Sequence, residues 1–169
     1  IAENTVRVIT DAEAIGTYQP VDEAAMFDIE YWSLEQAKLS KSAEKPLARQ
    51  IAVVTGGAGG IGAATARAFA AQGAEVAVLD LDLAAATSVA DTIGGLGLAC
   101  DVTDSDSVRA AFDAVCAAYG GVDIVVSNAG AAWQGDIATV DDDVLRKSFE
   151  LNFWGHQTVA QNAVAVMGP

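Results

Sequence analysis

The amino-acid sequence predicts an α/β fold: a doubly wound parallel sheet of strand order 3-2-1-4, truncated before a fifth strand and preceded by a short helical segment. Three observations carry that expectation. From residue 50 onward four short apolar runs, QIAVVT, AEVAVLD, LGLACD and VDIVVS, alternate with helical stretches, as parallel strands joined by crossover helices do. The runs are apolar at consecutive rather than alternating positions, which burial on both faces requires. Right-handed crossovers then allow the order 3-2-1-4.

Composition bounds the rest. The chain has 169 residues, with 23 acidic against 9 basic side chains and a formal net charge of -14. That balance excludes a nucleic-acid reader built on a basic footprint. With 52% hydrophobic residues the chain is too apolar to be disordered as a whole, and its length suits one domain with an appendage. The uncharged run from Leu151 to Pro169 is interrupted by Asn152, His156, Gln157, Gln161 and Asn162, so no bilayer-spanning segment is expected. Cys100 and Cys116 form no CxxC and His156 is the single histidine, so the thiols read as reduced and cytoplasmic, with no metal site.

Taken in order, residues 1–45 read as a helical segment, the tail of an upstream module, in which Phe27, Tyr31, Leu34 and Leu39 repeat loosely at helical spacing. Residues 46–49, at the end of the mixed-charge stretch SAEKPLAR, form a connector. Residues 50–169 form the sheet domain: a first strand, a glycine-rich turn, a helix from Ile61 to Ala71, a second strand ending at Asp80, and a helix over Leu83 to Thr92. A third strand, a helix over Ser105 to Ala118, a fourth strand over Asp123 to Ser127 and a long helical pattern from Asp143 to Met167 complete it. The fourth strand has the character of an interior strand with no fifth beside it, an exposed edge. The absence of an initial Met and a stop inside a helical pattern suggest a piece of something longer.

The chemistry concentrates in TGGAGGIG, Thr55 to Gly62, placed between a strand and a helix. There a glycine turn brings backbone N–H groups against a pyrophosphate at a positive helix end. Spacing leaves the register open: Gly57, Gly59 and Gly62 fit G-x-G-x-x-G, while Gly56, Gly60 and Gly62 fit G-x-x-x-G-x-G. Asp80 follows Gly62 by eighteen residues, where an acid accepts hydrogen bonds from an adenosine ribose or caps a helix. A 2′-phosphate facing that carboxylate would meet repulsion on the order of 4 kcal/mol at intermediate dielectric. No Lys or Arg lies in the turn or just after Asp80, so NAD is favoured over NADP.

These residues together resemble the short-chain dehydrogenase/reductase family, with its Rossmann-type fold. TGGAGGIG is similar to the family's T-G-x-x-x-G-x-G turn, Asp80 to its ribose acid, Asp101-Val102 to its adenine contact and Asn128-Ala129-Gly130 to its N-A-G segment. Asn152 resembles the asparagine of the catalytic helix, which helps hold a water beside the active-site lysine. The resemblance covers residues 50 to about 167 and selects the register Gly56, Gly60, Gly62. It implies that Gly56, Gly60, Ile61 and Gly62 cradle the pyrophosphate, Asp80 the ribose, Asp101 and Val102 the adenine, and Asn128, Ala129 and Gly130 the inner ribose. Asn152 would be the one catalytic residue present. The family's Tyr-x-x-x-Lys helix and serine are missing: Tyr18 leads to Asp22, Tyr31 to Glu35 and Tyr119 to Asp123. Loss of that acid/base is worth about 10²–10⁴ in rate, so no useful turnover is expected from these residues alone.

The leading segment, with ITDAEAIG and FDIEYWSLEQAKL, resembles the junction between a class II sugar-phosphate aldolase module and a short-chain dehydrogenase in fused bifunctional proteins. That implies an upstream aldolase releasing a small hydroxyaldehyde, lactaldehyde-like, for the dehydrogenase to oxidise. Alternatives are a non-catalytic NAD-binding module and a methyltransferase, which also uses a glycine turn and a second-strand acid. Asp141, Asp142 and Asp143 read as helix-start acids, and His156 as a surface or interface histidine. Phe149, Phe153 and Trp154, with Val159 and Val166, give the last helix an apolar face for the core or for a second subunit, a homo-oligomer contact. Trp133 is a candidate for the substrate side of the cleft.

Overall fold

The computed structural model describes residues 2–30 and 44–167. The chain divides into two units, Ile1–Ala43 and Glu44–Pro169. In the first, α1 spans Ala2–Ile15 and α2 spans Glu23–Glu30. Asp22 precedes α2, and its carboxylate accepts the Ala25 N–H at 2.7 Å. No strand occurs among the described residues of this unit. Tyr31, Leu34 and Leu39 of the expected helical repeat lie outside the described residues.

The second unit is built from β1 (Ile51–Thr55), α3 (Gly60–Ala71), β2 (Glu75–Asp80), α4 (Leu83–Ile93), β3 (Leu96–Ala99), α5 (Ser105–Tyr119), β4 (Ile124–Val126), α6 (Asp142–Phe149) and α7 (Gly155–Met167). All pairings are parallel, in the order β3-β2-β1-β4, as the strand-helix alternation requires. Consecutive strand residues alternate between two cores. Val53, Ala77 and Leu79 pack with Val108, Phe112 and Val115 of α5 and Val159 and Ala163 of α7. Ala52, Val54, Val76 and Val78 pack with Ala63 and Ala66 of α3 and Ala86, Val89 and Ala90 of α4. The central strands β1 and β2 are therefore apolar in their interiors because both faces are covered, while β3 and β4 at the sheet edges are largely half-buried. Fully burying a side chain such as Leu79 or Phe112 contributes about 1.5–3 kcal/mol.

The structure differs from the sequence expectation in two places. The fourth strand is only three residues long and half-buried; among the described residues it pairs with β1 alone, so its second edge has no neighbour to extend the ladder. The long last helix is interrupted: a π-helical turn, Glu150–Trp154, separates α6 from α7. A π turn inserts one residue and rotates the succeeding helix about its axis. Leu151 and Asn152 lie within that turn.

The registers Thr55↔Leu79, Asp80↔Ala99 and Val54↔Val126 bring the carboxyl ends of all four strands into one row. The chain leaves β1 toward β2 on one side and reaches β4 on the other, so the switch point of this sheet lies between β1 and β4. That is where open α/β sheets bind ligands.

Candidate functional site

A cleft of about 560 Å³ opens along this row of strand ends. The β1–α3 turn contributes Gly56, Gly60, Ile61 and Gly62; β2 contributes Asp80; the segment after β3 contributes Asp101 and Val102; the segment after β4 contributes Asn128, Ala129 and Gly130. All ten residues expected to hold a cofactor thus line one cavity. Asn152 does not. Gly59, Leu81, Cys100 and Leu151 line it too; Gly59 belongs to the alternative G-x-G-x-x-G register, and the sequence pattern assigns the other three no role. Leu81 and Cys100 adjoin expected residues, but nothing in that pattern distinguishes Leu151, which lies in the π turn.

The turn has its shape for identifiable reasons. Gly56 has φ +61°, and a Cβ there would lie 2.8 Å from the Ala129 Cα. A Cβ on Gly62 would lie 2.2 Å from the Gly56 carbonyl oxygen, so the first turn of α3 can approach β1 only as glycine. Gly60 is different: a Cβ there meets nothing within 4 Å. No packing inside the protein demands glycine at that position, and Gly60 lines the cleft.

The start of α3 is electrostatically open. Asp82, Asp104 and Asp141 cap α4, α5 and α6 by accepting backbone N–H groups. Helix α3, which Gly59 precedes as the N-cap residue, has no side-chain cap and no acid in its first turn. Its first intrahelical bond runs from Ala63 N–H to the Gly59 carbonyl at 2.7 Å. The N–H groups of Gly60, Ile61 and Gly62 precede that bond and need partners from elsewhere. Three amides at a positive helix end, lining a cleft, are the arrangement that suits an anion.

Asp80 is not the cap of α4. Its Oδ2 accepts the Ala58 N–H at 3.0 Å and its Oδ1 accepts the Asp82 N–H at 3.2 Å. The carboxylate therefore faces the cleft while bracing the glycine turn. Asp101 is also oriented: its Oδ1 accepts from the Thr103 N–H at 2.9 Å and the Thr103 hydroxyl at 2.7 Å. Two carboxylates and no basic side chain line the cavity. Beside them the buried Cys100 thiol is pushed up to about 11. Burial, which disfavours the thiolate, is the largest cause, and the Asp101 and Asp104 carboxylates add to it.

Thr55, to which the sequence assigns no contact, joins the two halves of the site. Its buried hydroxyl oxygen accepts the N–H groups of Asn128 at 3.0 Å and Ala129 at 3.1 Å. The Asn128 amide nitrogen donates in return to the carbonyls of Thr55 at 3.0 Å and Gly56 at 3.1 Å. These four bonds lock the β4 exit against the glycine turn. Asn152 holds the next residues: its Nδ2 donates to the Ala131 carbonyl at 2.8 Å, and its Oδ1 accepts the Ala131 N–H at 3.2 Å. Trp133 is partly exposed in the loop beyond and is not among the cleft residues.

The remaining candidates resolve simply. Asp141 caps α6 through the Asp143 N–H at 2.8 Å, as expected for acids at a helix start. His156, read as a surface or interface histidine, is half-buried, with Nδ1 2.6 Å from the Ser127 hydroxyl. Among the described residues no group of three or more His, Cys, Asp or Glu side chains is placed to hold a metal. No helix among them is long and apolar enough to cross a membrane.

Comparison with known proteins agrees with this geometry. The family model described as short chain dehydrogenase matches residues 50–168, and one described as aldolase class II, second domain, matches residues 1–39. The chain is 36% identical over 174 residues to the uncharacterized oxidoreductase YuxG of Bacillus subtilis, covering 96% of this chain and 25% of that protein. It is 49% identical over 88 residues to D-threitol dehydrogenase of Mycolicibacterium smegmatis, covering 49% of this chain and 34% of that one. A solved short-chain type dehydrogenase/reductase from Mycobacterium marinum superposes with a TM-score of 0.70 at 34% identity, over 72% of this chain and 50% of its own. The chain thus spans between a quarter and a half of the length of these relatives.

Proposed function

Because this chain belongs to the short-chain dehydrogenase family, we propose that it supplies the NAD-holding part of an oxidoreductase acting on a small alcohol or hydroxyaldehyde. The observation that carries the reading is the uncapped start of α3, with three amides in a cleft flanked by Asp80 and Asn128. The amides of Gly60, Ile61 and Gly62 would hold the diphosphate, with Gly56 giving the turn its shape. Asp80 would accept from the adenosine ribose, Asp101 and Val102 would border the adenine, and Asn128, Ala129 and Gly130 the inner ribose. When bound, NAD accepts or delivers a hydride. Asp80 also sets the preference for NAD, since a 2′-phosphate would meet a carboxylate in a cavity lined by no cation.

Asn152 is proposed as the catalytic-helix asparagine, held by Ala131 beside the segment that borders the inner ribose. No tyrosine of the chain stands four residues before a lysine, so these residues lack the family's proton-transfer pair and alone give no turnover. That observation also favours a second reading, a module that holds NAD without chemistry. The match of residues 1–39 to an aldolase model supports an aldolase joined upstream. The polyol named in D-threitol dehydrogenase supports a small hydroxylated substrate. Exposed Phe149, Phe153 and Trp154 on one helical stretch support a homo-oligomer contact, and the free thiols Cys100 and Cys116 support a cytoplasmic setting.

Titration of the chain with NADH, NADPH and S-adenosylmethionine, followed by tryptophan fluorescence, tests the reading. NADH should bind at least tenfold more tightly than NADPH. Tighter binding of S-adenosylmethionine would overturn the dehydrogenase assignment in favour of a methyltransferase. Reduction of NAD by a small hydroxyaldehyde with the chain alone would overturn the assignment of the missing acid/base.

A further inference from the structure

We propose that His156 is a positioning residue: through Ser127 it fixes the segment that receives the half of the dinucleotide beyond the diphosphate. The proposal rests on the nucleotide reading above. Asn152 and His156 stand one helical turn apart and grip the two ends of one short loop. His156 Nδ1 lies 2.6 Å from the Ser127 hydroxyl, and Asn152 exchanges two hydrogen bonds with the Ala131 backbone. Between these anchors lie Asn128, Ala129 and Gly130, all lining the cleft.

The same helical turn presses on a third part of the cavity wall. Gly155 is buried, and a Cβ there would lie 3.0 Å from Val102 Cγ2. Residues 152–156 therefore stand behind the cleft and touch its wall on both sides. The pairing with Ser127 suits both imidazole tautomers: one accepts the hydroxyl hydrogen at Nδ1, the other donates from Nδ1 to the hydroxyl oxygen.

Strand order decides which half of the ligand feels this brace. Strands β2 and β3 lie on one side of β1 and β4 on the other. With Asp80 and Asp101 taking the adenosine, the segment after β4 takes the far ribose and nicotinamide. Loosening Ser127 should therefore weaken NADH and leave ADP alone, a split that general destabilisation would not produce.

The experiment measures NADH and ADP dissociation constants by calorimetry on the 169-residue chain and on His156→Ala, Ser127→Ala, the double variant and His156→Asn, with folding checked by circular dichroism. Loss of one hydrogen bond predicts NADH binding about three- to tenfold weaker in each single variant. The double variant should be no worse than either, ADP should stay within twofold, and His156→Asn, which restores an acceptor near the Nδ1 position, should recover most of the loss. Equal weakening of NADH and ADP, multiplying single effects, or unchanged NADH binding would each overturn the proposal. Wild-type chain that binds neither nucleotide would overturn the nucleotide reading and this proposal with it.

Discussion

Placing a carboxylate at the first residue of α3 separates folding from binding. In Gly60→Asp the new Cβ meets no protein atom within 4 Å, so overpacking does not enter. The helix lacks both a side-chain cap and a first-turn acid. A carboxylate there complements the helix dipole and contributes about 0.3–1 kcal/mol to stability. In the proposed complex the same charge would face the dinucleotide's diphosphate across the cleft. At roughly 8 Å and an intermediate dielectric of about 20, one charge pair costs about 2 kcal/mol, or roughly 30-fold in affinity. The variant should thus resist urea as well as the parent or better, while its NADH affinity drops tenfold or more, and the loss should shrink as salt screens the charges. Urea midpoints and NADH titrations at low and high salt measure both halves. Affinity within twofold of the parent would sink the idea that these amides hold an anion.

Gly62→Ala should act oppositely, because its Cβ would collide with the Gly56 carbonyl: a loss of about 1–3 kcal/mol in urea denaturation, with NADH affinity falling as the turn shifts. Asp80→Asn removes the charge and one of two carboxylate acceptors for the Ala58 and Asp82 N–H groups. Binding assays should show NADH weakened and the preference over NADPH reduced at least tenfold; an unchanged ratio would mean that Asp80 does not face the 2′ position. The Cys100 thiol, raised by burial and two carboxylates from 9.0 to about 11, stays protonated in the fold when the unfolded chain has already lost that proton. Its contribution to stability is therefore fully present below about pH 9 and lost as pH rises toward 11. Alkaline unfolding midpoints of the parent and Cys100→Ala should differ in slope over that window, and at pH 8 a thiol reagent should label the half-buried Cys116 well before Cys100. Finally, Phe153→Glu on the exposed apolar stretch should shift sedimentation toward the monomer; an unchanged profile would refute the proposed self-contact.

Sheet order and the positions of the glycine turn, Asp80, Asp101 and the Asn128 segment were legible in the linear chain. Consecutive apolar residues imply two covered faces, and a parallel sheet brings every strand's carboxyl end to the same side, so residues placed just after strands converge. Gly60 is the clearest case for the site: the motif singles it out, and the structure supplies no packing reason for a glycine there. The contacts of Thr55, the place of Leu151 and the Ser127–His156 pair were not legible. A threonine at a strand end does not announce its partners, and those of Thr55 lie 73 and 74 residues away.

Local periodicity and the handedness of crossovers already set the strands and helices, the strand order and which loops meet. Contacts between distant segments and small rotations set the rest. Leu151, in the π turn at Glu150–Trp154, lines the cleft, Asp80, expected to meet a ribose or cap a helix, also braces the glycine turn, and His156, read as a surface or interface residue, pairs with Ser127. The physical reason is that covalent periodicity fixes which face a residue occupies, whereas hydrogen-bond partners depend on ångström-scale distances set when separate elements pack together.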